Sequence, residues 1–169
     1  MAGSDGMTLI AIDGPAGAGK TTLAARFFKE FSTSKTVAVI HLDDLYDGWE
    51  NALDYRLTSK LTGIVDAFTA HSPFSIPIFN WTTLSFDSSQ NIDPSEILII
   101  EGVGAGQKAV RDAGAIVYWL DIEAEVGLAR VLERDGYEIE SQMRQWQLDQ
   151  DAHFLRDNTR ANANHILTS

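Results

Sequence analysis

The stretch GPAGAGKT, residues 14–21, has the residue types and the spacing that hold a phosphate. It matches the pattern G-x-x-x-x-G-K-[ST] in full, and loops of this pattern bind the phosphates of a nucleotide. Glycines let the backbone turn tightly, so that successive N–H groups point at the β-phosphate. We expect Lys20 to reach the β- and γ-phosphates and the Thr21 hydroxyl to bind Mg²⁺. The predicted nucleotide-binding residues are Gly14, Ala16, Gly17, Ala18, Gly19, Lys20, Thr21 and Thr22.

Two acidic residues that follow apolar runs are candidates for the chemistry of phosphate transfer. Glu101 ends the run ILIIE and precedes a glycine-rich turn, where P-loop proteins place an acid linked to Mg²⁺. Asp43, in HLDDLYDGW, lies where an acceptor hydroxyl would approach the γ-phosphate. A carboxylate there can orient and deprotonate the hydroxyl, and it can also contact the Mg²⁺ shell. We therefore predict Asp43 as catalytic, and Thr21, Asp43 and Glu101 at the metal.

Two arginines late in the chain are candidates for stabilising the transferred group. Arg130 and Arg134 are four residues apart in EVGLARVLERDG and so share one face of a helix. In small P-loop kinases this part of the chain carries a lid whose arginines close over the phosphates, so we predict a lid around residues 134–150 and catalytic roles for both arginines. The alternative is a solvated helix face with ion pairs to nearby acids.

Short apolar runs alternate with segments of helical character along the whole chain. The predicted strands are TLIAI (8–12), TVAVIHL (36–42), EILIIEG (96–102), AIVYWLD (115–121) and NHILT (164–168), and the predicted helices are 20–32, 50–70, 105–113, 123–134 and 140–160. This alternation predicts a three-layer α/β fold of the P-loop NTPase type, with a five-stranded parallel sheet and helices on both faces. Ligands of such sheets bind beyond the carboxyl ends of the strands, which is where the candidate residues lie.

Length and composition are those of an ordinary globular protein. The chain has 169 residues, of which 44% are hydrophobic and 22% charged. We predict a single domain over residues 1–169, with a flexible tail at residues 1–6. Pro73, Pro77 and the polar run at residues 82–95 mark the region that we predict to be the least regular, an insertion between strands. No apolar run approaches the roughly 20 residues that span a bilayer, so we expect no membrane partner.

Charge and the absence of cysteine exclude further classes of function. The formal net charge of −11 argues against binding to a nucleic-acid backbone, although a local pocket can still be positive. The chain has no cysteine, which excludes disulfides, thiol catalysis and cysteine–zinc sites and is compatible with the cytoplasm, where we expect the protein. The histidines show no metal-ligand spacing, and we expect His41 to be a hydrogen-bonded core residue. Nothing in the sequence indicates the oligomeric state.

The order of the motifs resembles the uridine kinase-like family of P-loop nucleoside and nucleotide kinases. The motifs that carry the resemblance are the GPAGAGKT loop, Asp-x-x-Tyr (43–46), Glu-Gly (101–102), Arg-x-x-x-Arg-Asp-Gly (130–136) and NTRANAN (158–164) before a last strand. The resemblance covers most of the chain and implies transfer of the ATP γ-phosphate to a hydroxyl group, with Mg²⁺, in a fold with a small helical lid. It also implies site roles: Asp43 as the acceptor-activating acid, Glu101 as the Mg²⁺-site acid, and Arg130 and Arg134 as lid arginines.

The acceptor side departs from the family pattern. The family usually has a His-Pro segment ending in an Asp that holds the ribose hydroxyls, whereas WENALDYRL contains no His-Pro and offers Asp54 as a substitute. The family's Tyr-Asp appears as Phe79-Asn80, and the basic residue expected soon after is absent from WTTLSF. Aromatic residues in these loops could stack on a base or sugar. The candidate acceptor-binding residues are Tyr46, Asp54, Arg56, Asn80 and Trp81.

Three hypotheses of function therefore stay open. The first is an ATP-dependent kinase of the uridine kinase type, acting on a nucleoside. The second keeps the phosphate transfer but changes the acceptor to a nucleoside monophosphate, for which Arg56 and Lys60 could supply cations, or to a sugar acid, as in gluconate kinases. The third is a regulatory module that hydrolyses ATP slowly and acts through a partner. A GTPase is disfavoured because the guanine-reading Asn-Lys-x-Asp motif is absent.

Overall fold

Seven strands and five α-helices make up the part of the chain that the computed structural model describes, residues 6–168. The strands are β1 Thr8–Asp13, β2 Val37–His41, β3 Phe74–Asn80, β4 Ser85–Ile92, β5 Ile97–Glu101, β6 Ile116–Asp121 and β7 His165–Thr168. The helices are α1 Lys20–Phe31, α2 Tyr55–Thr69, α3 Lys108–Arg111, α4 Ala124–Asp135 and α5 Glu140–Asp157. Of the tail predicted at residues 1–6, only Gly6 lies within the described residues, and it is exposed.

Five of the strands form one parallel sheet in the order β2-β5-β1-β6-β7. This confirms the predicted strands and the three-layer α/β fold. The register places Glu101 of β5 beside Ile12 of β1 on one side and beside His41 of β2 on the other. The carboxyl ends of these three strands are therefore level, so the residues that follow each strand meet at one edge of the sheet.

Each face of the sheet has its own apolar cluster because successive side chains of a strand point in opposite directions. Ile10 and Ile12 of β1 and Ile97 and Ile99 of β5 pack with Leu23 of α1 on one face. The alternate residues of the same strands belong to a larger cluster that includes apolar side chains of α2, α4 and α5. Residues buried on both faces explain why β5 is continuously apolar before Glu101.

The region predicted to be least regular is a β-hairpin, so that expectation was wrong. β3 and β4 pair antiparallel as a separate two-stranded sheet, with a register shift between Ile78 and Phe79. The polar run hid β4 because this strand packs little against the core, and most of its side chains are exposed. A strand of this kind lacks the alternation of apolar and polar residues from which strands are predicted.

Two helices differ in extent from their predictions, for local reasons. α2 begins at residue 55 and not at 50, because the Asp54 side chain caps the helix by accepting a hydrogen bond from the Arg56 N–H at 2.9 Å. α3 is only four residues long. Residues 134–150, the predicted lid, comprise the end of α4, a 3₁₀ turn at Tyr137–Ile139 and the first part of α5. None of the helices within residues 6–168 is long and apolar enough to cross a membrane.

Candidate active site

The GPAGAGKT loop leaves the end of β1 and runs directly into α1. Three of its glycines have positive φ, at 142° for Gly14, 84° for Gly17 and 96° for Gly19, which is the backbone conformation that glycine adopts without strain. Gly19 precedes the first residue of α1, and no side chain caps this helix. The N-terminus of α1 is therefore left to an anion, as in other phosphate-binding loops.

Lys20 is buried at the start of α1, and its ammonium group turns back onto the loop. Its Nζ donates a hydrogen bond to the Pro15 carbonyl at 2.8 Å. Burial lowers the pKa of Lys20, while the nearby carboxylates of Asp13, Glu101 and Asp43 oppose that shift. The three carboxylates favour the charged form of Lys20, which is the form that binds the β- and γ-phosphates.

Thr21 and Glu101, both predicted at the metal, are in contact. The Thr21 hydroxyl donates a hydrogen bond to Glu101 Oε1 at 3.1 Å, and His41 Nδ1 lies 2.6 Å from the same oxygen. The hydrogen bond to Glu101 raises the pKa of His41. His41 is therefore hydrogen-bonded as expected, but it lies half-exposed beside the site and not in the core. The sequence offered no sign of this pair because the two residues are 60 positions apart.

Asp43 lies in a 3₁₀ turn, Leu42–Asp44, that directly follows β2. Asp43 is exposed, and partial desolvation of its carboxylate by neighbouring protein atoms raises its pKa. The charge of Glu101 raises that pKa further, whereas Lys20 and Arg134 lower it. These influences place Asp43 within electrostatic reach of three other predicted site residues. A raised pKa also makes a carboxylate a stronger base.

The hydroxyl of Thr21 and the carboxylates of Glu101 and Asp43 are hard oxygen ligands, the kind that Mg²⁺ prefers. Within residues 6–168 there is no group of three or more histidine or acidic side chains that could hold a metal by themselves. Mg²⁺ usually takes only one or two carboxylates from a protein and the remaining ligands from phosphates and water.

The two predicted arginines lie on α4, which packs directly against the phosphate loop. Arg130 Nη1 donates a hydrogen bond to the Gly17 carbonyl at 3.3 Å. Arg134 is paired through two nitrogens with Asp135, at 2.7 and 2.8 Å, and its charge acts on Asp43 and Lys20. α4 thus brings both arginines to the site, while the ion pair of Arg134 matches the alternative that the sequence left open.

α4 packs against the phosphate loop where two glycines, Gly17 and Gly127, come into contact. A Cβ atom on Gly17 would lie 2.3 Å from the Gly127 carbonyl oxygen, and one on Gly127 would lie 2.5 Å from the Ala16 carbonyl oxygen. Both clashes are with backbone, which cannot rotate away. Gly127 was not identified from the sequence, since a glycine inside a helix is usually read only as a weak helix former.

Asp13 is the second site residue that the sequence did not reveal. Its carboxylate is fully buried at the end of β1 and accepts backbone hydrogen bonds from Gly14 at 2.7 Å, Gly106 at 2.8 Å and Gly104 at 3.1 Å. Burial raises the pKa of Asp13 to about 6, although these hydrogen bonds lower it. An available signal was the position itself, an acid closing an apolar strand next to the loop.

Gln150 of α5 is the third site residue that the sequence did not reveal. It is buried, and its Oε1 accepts a hydrogen bond from the Ala16 N–H at 3.1 Å. This contact ties α5, whose first part belongs to the predicted lid, to the phosphate loop across 134 positions of sequence.

The predicted acceptor-binding residues divide into two groups. Tyr46 is buried, donates a hydrogen bond to the Val103 carbonyl at 2.7 Å and packs edge-on against Trp146, which indicates a structural role. Asp54 and Arg56 are hydrogen-bonded to each other, and Arg56 also lies 3.6 Å from Asp47. These three side chains are therefore already engaged within the protein.

Asn80 and Trp81 lie at the tip of the β3–β4 hairpin. Asn80 organises the turn, because its Oδ1 accepts from the N–H groups of Thr82 and Thr83 and its Nδ2 donates to Asp87 at 2.7 Å. Trp81 faces the site, since its Nε1 donates a hydrogen bond to the Asp43 backbone carbonyl at 2.9 Å. Trp81 is 36% exposed as a residue, and its ring packs edge-on against the rings of Trp49 at 5.3 Å and Phe79 at 4.8 Å.

Several known proteins resemble this chain in sequence or in fold. No protein-family model matches the chain. The chain is 24% identical to a uridine kinase of Lactobacillus johnsonii, over 82% of this chain and 74% of the relative. It is 30% identical to a phosphoribulokinase of Synechocystis, over 78% of this chain but only 42% of the relative. The structure of a possible uridine kinase from Bacillus stearothermophilus aligns over 99% of this chain and 90% of its own, with a TM-score of 0.66 and 20% identity.

The solved structure supports the fold, and the relatives confirm the resemblance to uridine kinase-like P-loop kinases that the sequence predicted. The chain is accordingly a phosphotransferase whose acceptor is an alcohol group, and its kinase relatives imply the use of ATP.

The glycine contact gives a first prediction. Gly127→Ala should move α4 and its arginines away from the loop, and lower the turnover of the phosphate transfer by about 10- to 100-fold. The measurement is turnover under saturating Mg-ATP together with the free energy of unfolding. The matched control is Gly63→Ala in α2, where a Cβ meets no atom within 4 Å, and which should be neutral or stabilise the fold. Wild-type turnover in Gly127→Ala would contradict the role of the contact.

The pKa of Asp13 gives a second prediction. Its pKa is about 6 in the folded protein against an ordinary 3.8, so the folded state binds this proton more tightly than the unfolded chain. The resulting stabilisation is fully present below the lower value and is lost as the pH rises through about 6. The free energy of unfolding of the wild type, minus that of Asp13→Asn, should therefore fall by on the order of 3 kcal/mol between about pH 4 and pH 7.

Urea unfolding of both proteins across this pH range measures that difference. Asn does not titrate, so groups common to both proteins cancel. A difference that stays constant with pH would show that the folded-state pKa of Asp13 is not raised.

Proposed function

We propose that this uridine kinase-like protein transfers the γ-phosphate of ATP to a hydroxyl group of an uncharged acceptor, with a nucleoside as the leading candidate. The observation that carries the proposal is the convergence of three groups at one edge of the sheet. These are the phosphate loop with Lys20, the Thr21–Glu101 pair, and a separate acid, Asp43. A protein that only hydrolyses ATP has to place a water molecule, whereas a kinase needs an acid directed at its acceptor.

The reaction follows from these positions. Asp43 takes the proton of the acceptor hydroxyl as its oxygen forms a bond to the γ-phosphorus, and the bond from that phosphorus to the β–γ bridging oxygen breaks, so that ADP leaves. Lys20 and the N–H groups of the loop hold the phosphates in line. Arg134 and Arg130 are the cations available to stabilise the charge on the transferred group.

Mg²⁺ belongs to this proposal as the metal that accompanies ATP. Thr21, Glu101 and Asp43 would hold it, directly or through water. When bound, it would neutralise charge on the phosphate oxygens. Release of the Thr21 hydroxyl from Glu101 would make both oxygens available to the metal.

The cations that could have recognised a phosphorylated acceptor are already occupied, which supports an uncharged one. Arg56 is bound to Asp54 and lies near Asp47. Lys60 donates a hydrogen bond to the Leu45 carbonyl at 3.0 Å, and its Nζ lies 4.2 Å from the centre of the Phe86 ring. A nucleoside monophosphate would have to draw at least one of these side chains out of its present contacts.

Aromatic rings beside Asp43 support an acceptor that carries a flat ring. Trp81, Trp49 and Phe79 form a connected set of edge-on contacts, and Trp146 joins the set through Trp49 at 6.2 Å. Trp81 is the partly exposed member nearest to Asp43, to which it is hydrogen-bonded. Aromatic side chains with one accessible face bind bases and sugars by stacking.

An acceptor panel tests the proposed function. ADP release from Mg-ATP is measured with nucleosides, nucleoside monophosphates and sugar acids, using the wild type and Asp43→Asn. We expect nucleosides to stimulate ADP release and the variant to abolish the stimulation. Stimulation by monophosphates or sugar acids alone would replace the acceptor, and a flat panel with ATP still bound would favour the regulatory hypothesis.

Two substitutions separate ATP binding from catalysis. Asp43→Asn should leave the affinity for ATP nearly unchanged, because Lys20, the loop, Thr21 and Glu101 keep their contacts, and should lower turnover by a factor on the order of 10² or more, because the base for the acceptor hydroxyl is lost. Lys20→Ala should weaken both, because its ammonium contacts the phosphates before and during transfer. Calorimetry with ATP and steady-state kinetics on the same preparations give the two quantities. Equal losses of affinity and turnover in Asp43→Asn would assign the acid to the metal site alone.

A further inference from the structure

The mechanism above makes no use of Asp13, the most completely buried carboxylate near the site. Its side chain has no exposed surface, and its two oxygens accept three backbone hydrogen bonds. The charge of Lys20, on α1, acts on this carboxylate. Burying an ionised carboxylate costs free energy unless hydrogen bonds or opposite charges compensate it. The three hydrogen bonds of Asp13 provide such compensation, and their arrangement calls for a functional explanation.

The three donors come from two different loops. Gly14 is the first residue of the phosphate loop, whereas Gly104 and Gly106 belong to the buried turn, residues 102–107, that follows Glu101. One carboxylate therefore joins the loop that precedes Lys20 and Thr21 to the turn that follows Glu101. The turn is also held from behind, where the Gln107 amide donates to the Gly104 carbonyl at 3.0 Å and accepts from Thr58 at 2.6 Å.

The hydrogen-bonded joint between Asp13, the phosphate loop and the turn at residues 102–107 leaves no room for additional side-chain atoms. A Cβ atom on Gly106 would lie 2.9 Å from a methyl group of Val117 and 3.4 Å from Asp13 Oδ2. Gly104 has a φ of 99°, so its N–H is aimed by a backbone conformation that other residues rarely adopt. Only an ionised carboxylate accepts all three hydrogen bonds, because an amide in its place would turn an NH₂ group toward at least one backbone N–H.

We propose that Asp13 is a positioning residue that fixes the turn after Glu101 relative to the phosphate loop, and so sets the distance between Glu101 and Thr21, two of the residues that would hold Mg²⁺ with the nucleotide. This inference rests on the proposed function for the presence of Mg²⁺. Asp13 touches neither ATP nor the metal in this role. Its contribution is therefore to the metal-dependent part of nucleotide binding and not to the phosphate loop alone.

The experiment measures ADP binding by calorimetry, once with EDTA and once with Mg²⁺, for the wild type and Asp13→Asn. The ratio of the two dissociation constants is the enhancement due to Mg²⁺. In Asp13→Asn we expect this enhancement to fall by about tenfold, the lower end of the effect of removing a hydrogen-bond partner behind a metal ligand. The affinity with EDTA should change by less than about threefold, since the loop keeps its own glycines and Lys20.

Glu96→Gln is the matched control. Glu96 also accepts a hydrogen bond from a backbone N–H, that of Thr36, and is bonded to Lys35, but it precedes β5, at the other end of this strand from Glu101. Its substitution should leave the enhancement at the wild-type value even where it lowers the free energy of unfolding. A substitution that only lowers the free energy of unfolding is therefore distinguished from one that lowers the enhancement of ADP binding due to Mg²⁺.

The outcomes distinguish the two proposals. Wild-type enhancement in a folded Asp13→Asn, or equal weakening with and without Mg²⁺, would overturn the role of Asp13 while leaving the kinase proposal intact. A wild type that binds no ADP would overturn the proposed function itself. If Asp13→Asn does not fold, Gly106→Ala disturbs the same joint from the other side and should show the same selective loss of enhancement.

Discussion

A loop that binds phosphate through its backbone N–H groups has to be held by contacts on its other side, and most of the site in this protein follows from that constraint. The N–H groups of the loop and the N-terminus of α1 must face the ligand. The supports therefore come from behind and from the flanks. β6 approaches Gly14, α4 approaches Gly17, α5 reaches Ala16 through Gln150, and Asp13 ties the loop to the neighbouring turn. None of these supports is close to the loop in sequence except Asp13.

The acid side of the site obeys a second constraint, which is that like charges are kept close together. The negative charges of Glu101 and Asp43 repel each other. Lys20 and Arg134 offset this repulsion by their positive charges, and Thr21 and His41 offset it by their hydrogen bonds to Glu101. Such a cluster is suited to receive a cation or a proton. On the acceptor side the opposite holds, because Arg56 is neutralised by Asp54 and Asp47 and leaves the surface there to aromatic rings.

How much of this could be read from the sequence depended on the range over which each signal acts. The five strands of the sheet and the phosphate loop are local patterns, and they were predicted with boundaries within a few residues. The β3–β4 hairpin was missed because β4 is polar and lies outside the core. Asp13 and Gly127 were missed because their importance lies in partners that are about 90 and 110 positions away, at Gly104 and at Ala16. Single residues with distant partners leave no periodic trace in a sequence.

The contact between Gly17 and Gly127 also limits how this protein can vary. Because each absent side chain makes room for the backbone of the other segment, neither position can accept a larger residue by a compensating change at the other. The two positions are therefore constrained together, because a deleterious substitution at one of them is not rescued by any substitution at the other. In a collection of descendants of this chain, both positions should therefore stay glycine together, and drift among them should concentrate on the solvent-facing residues of α4 that surround Gly127.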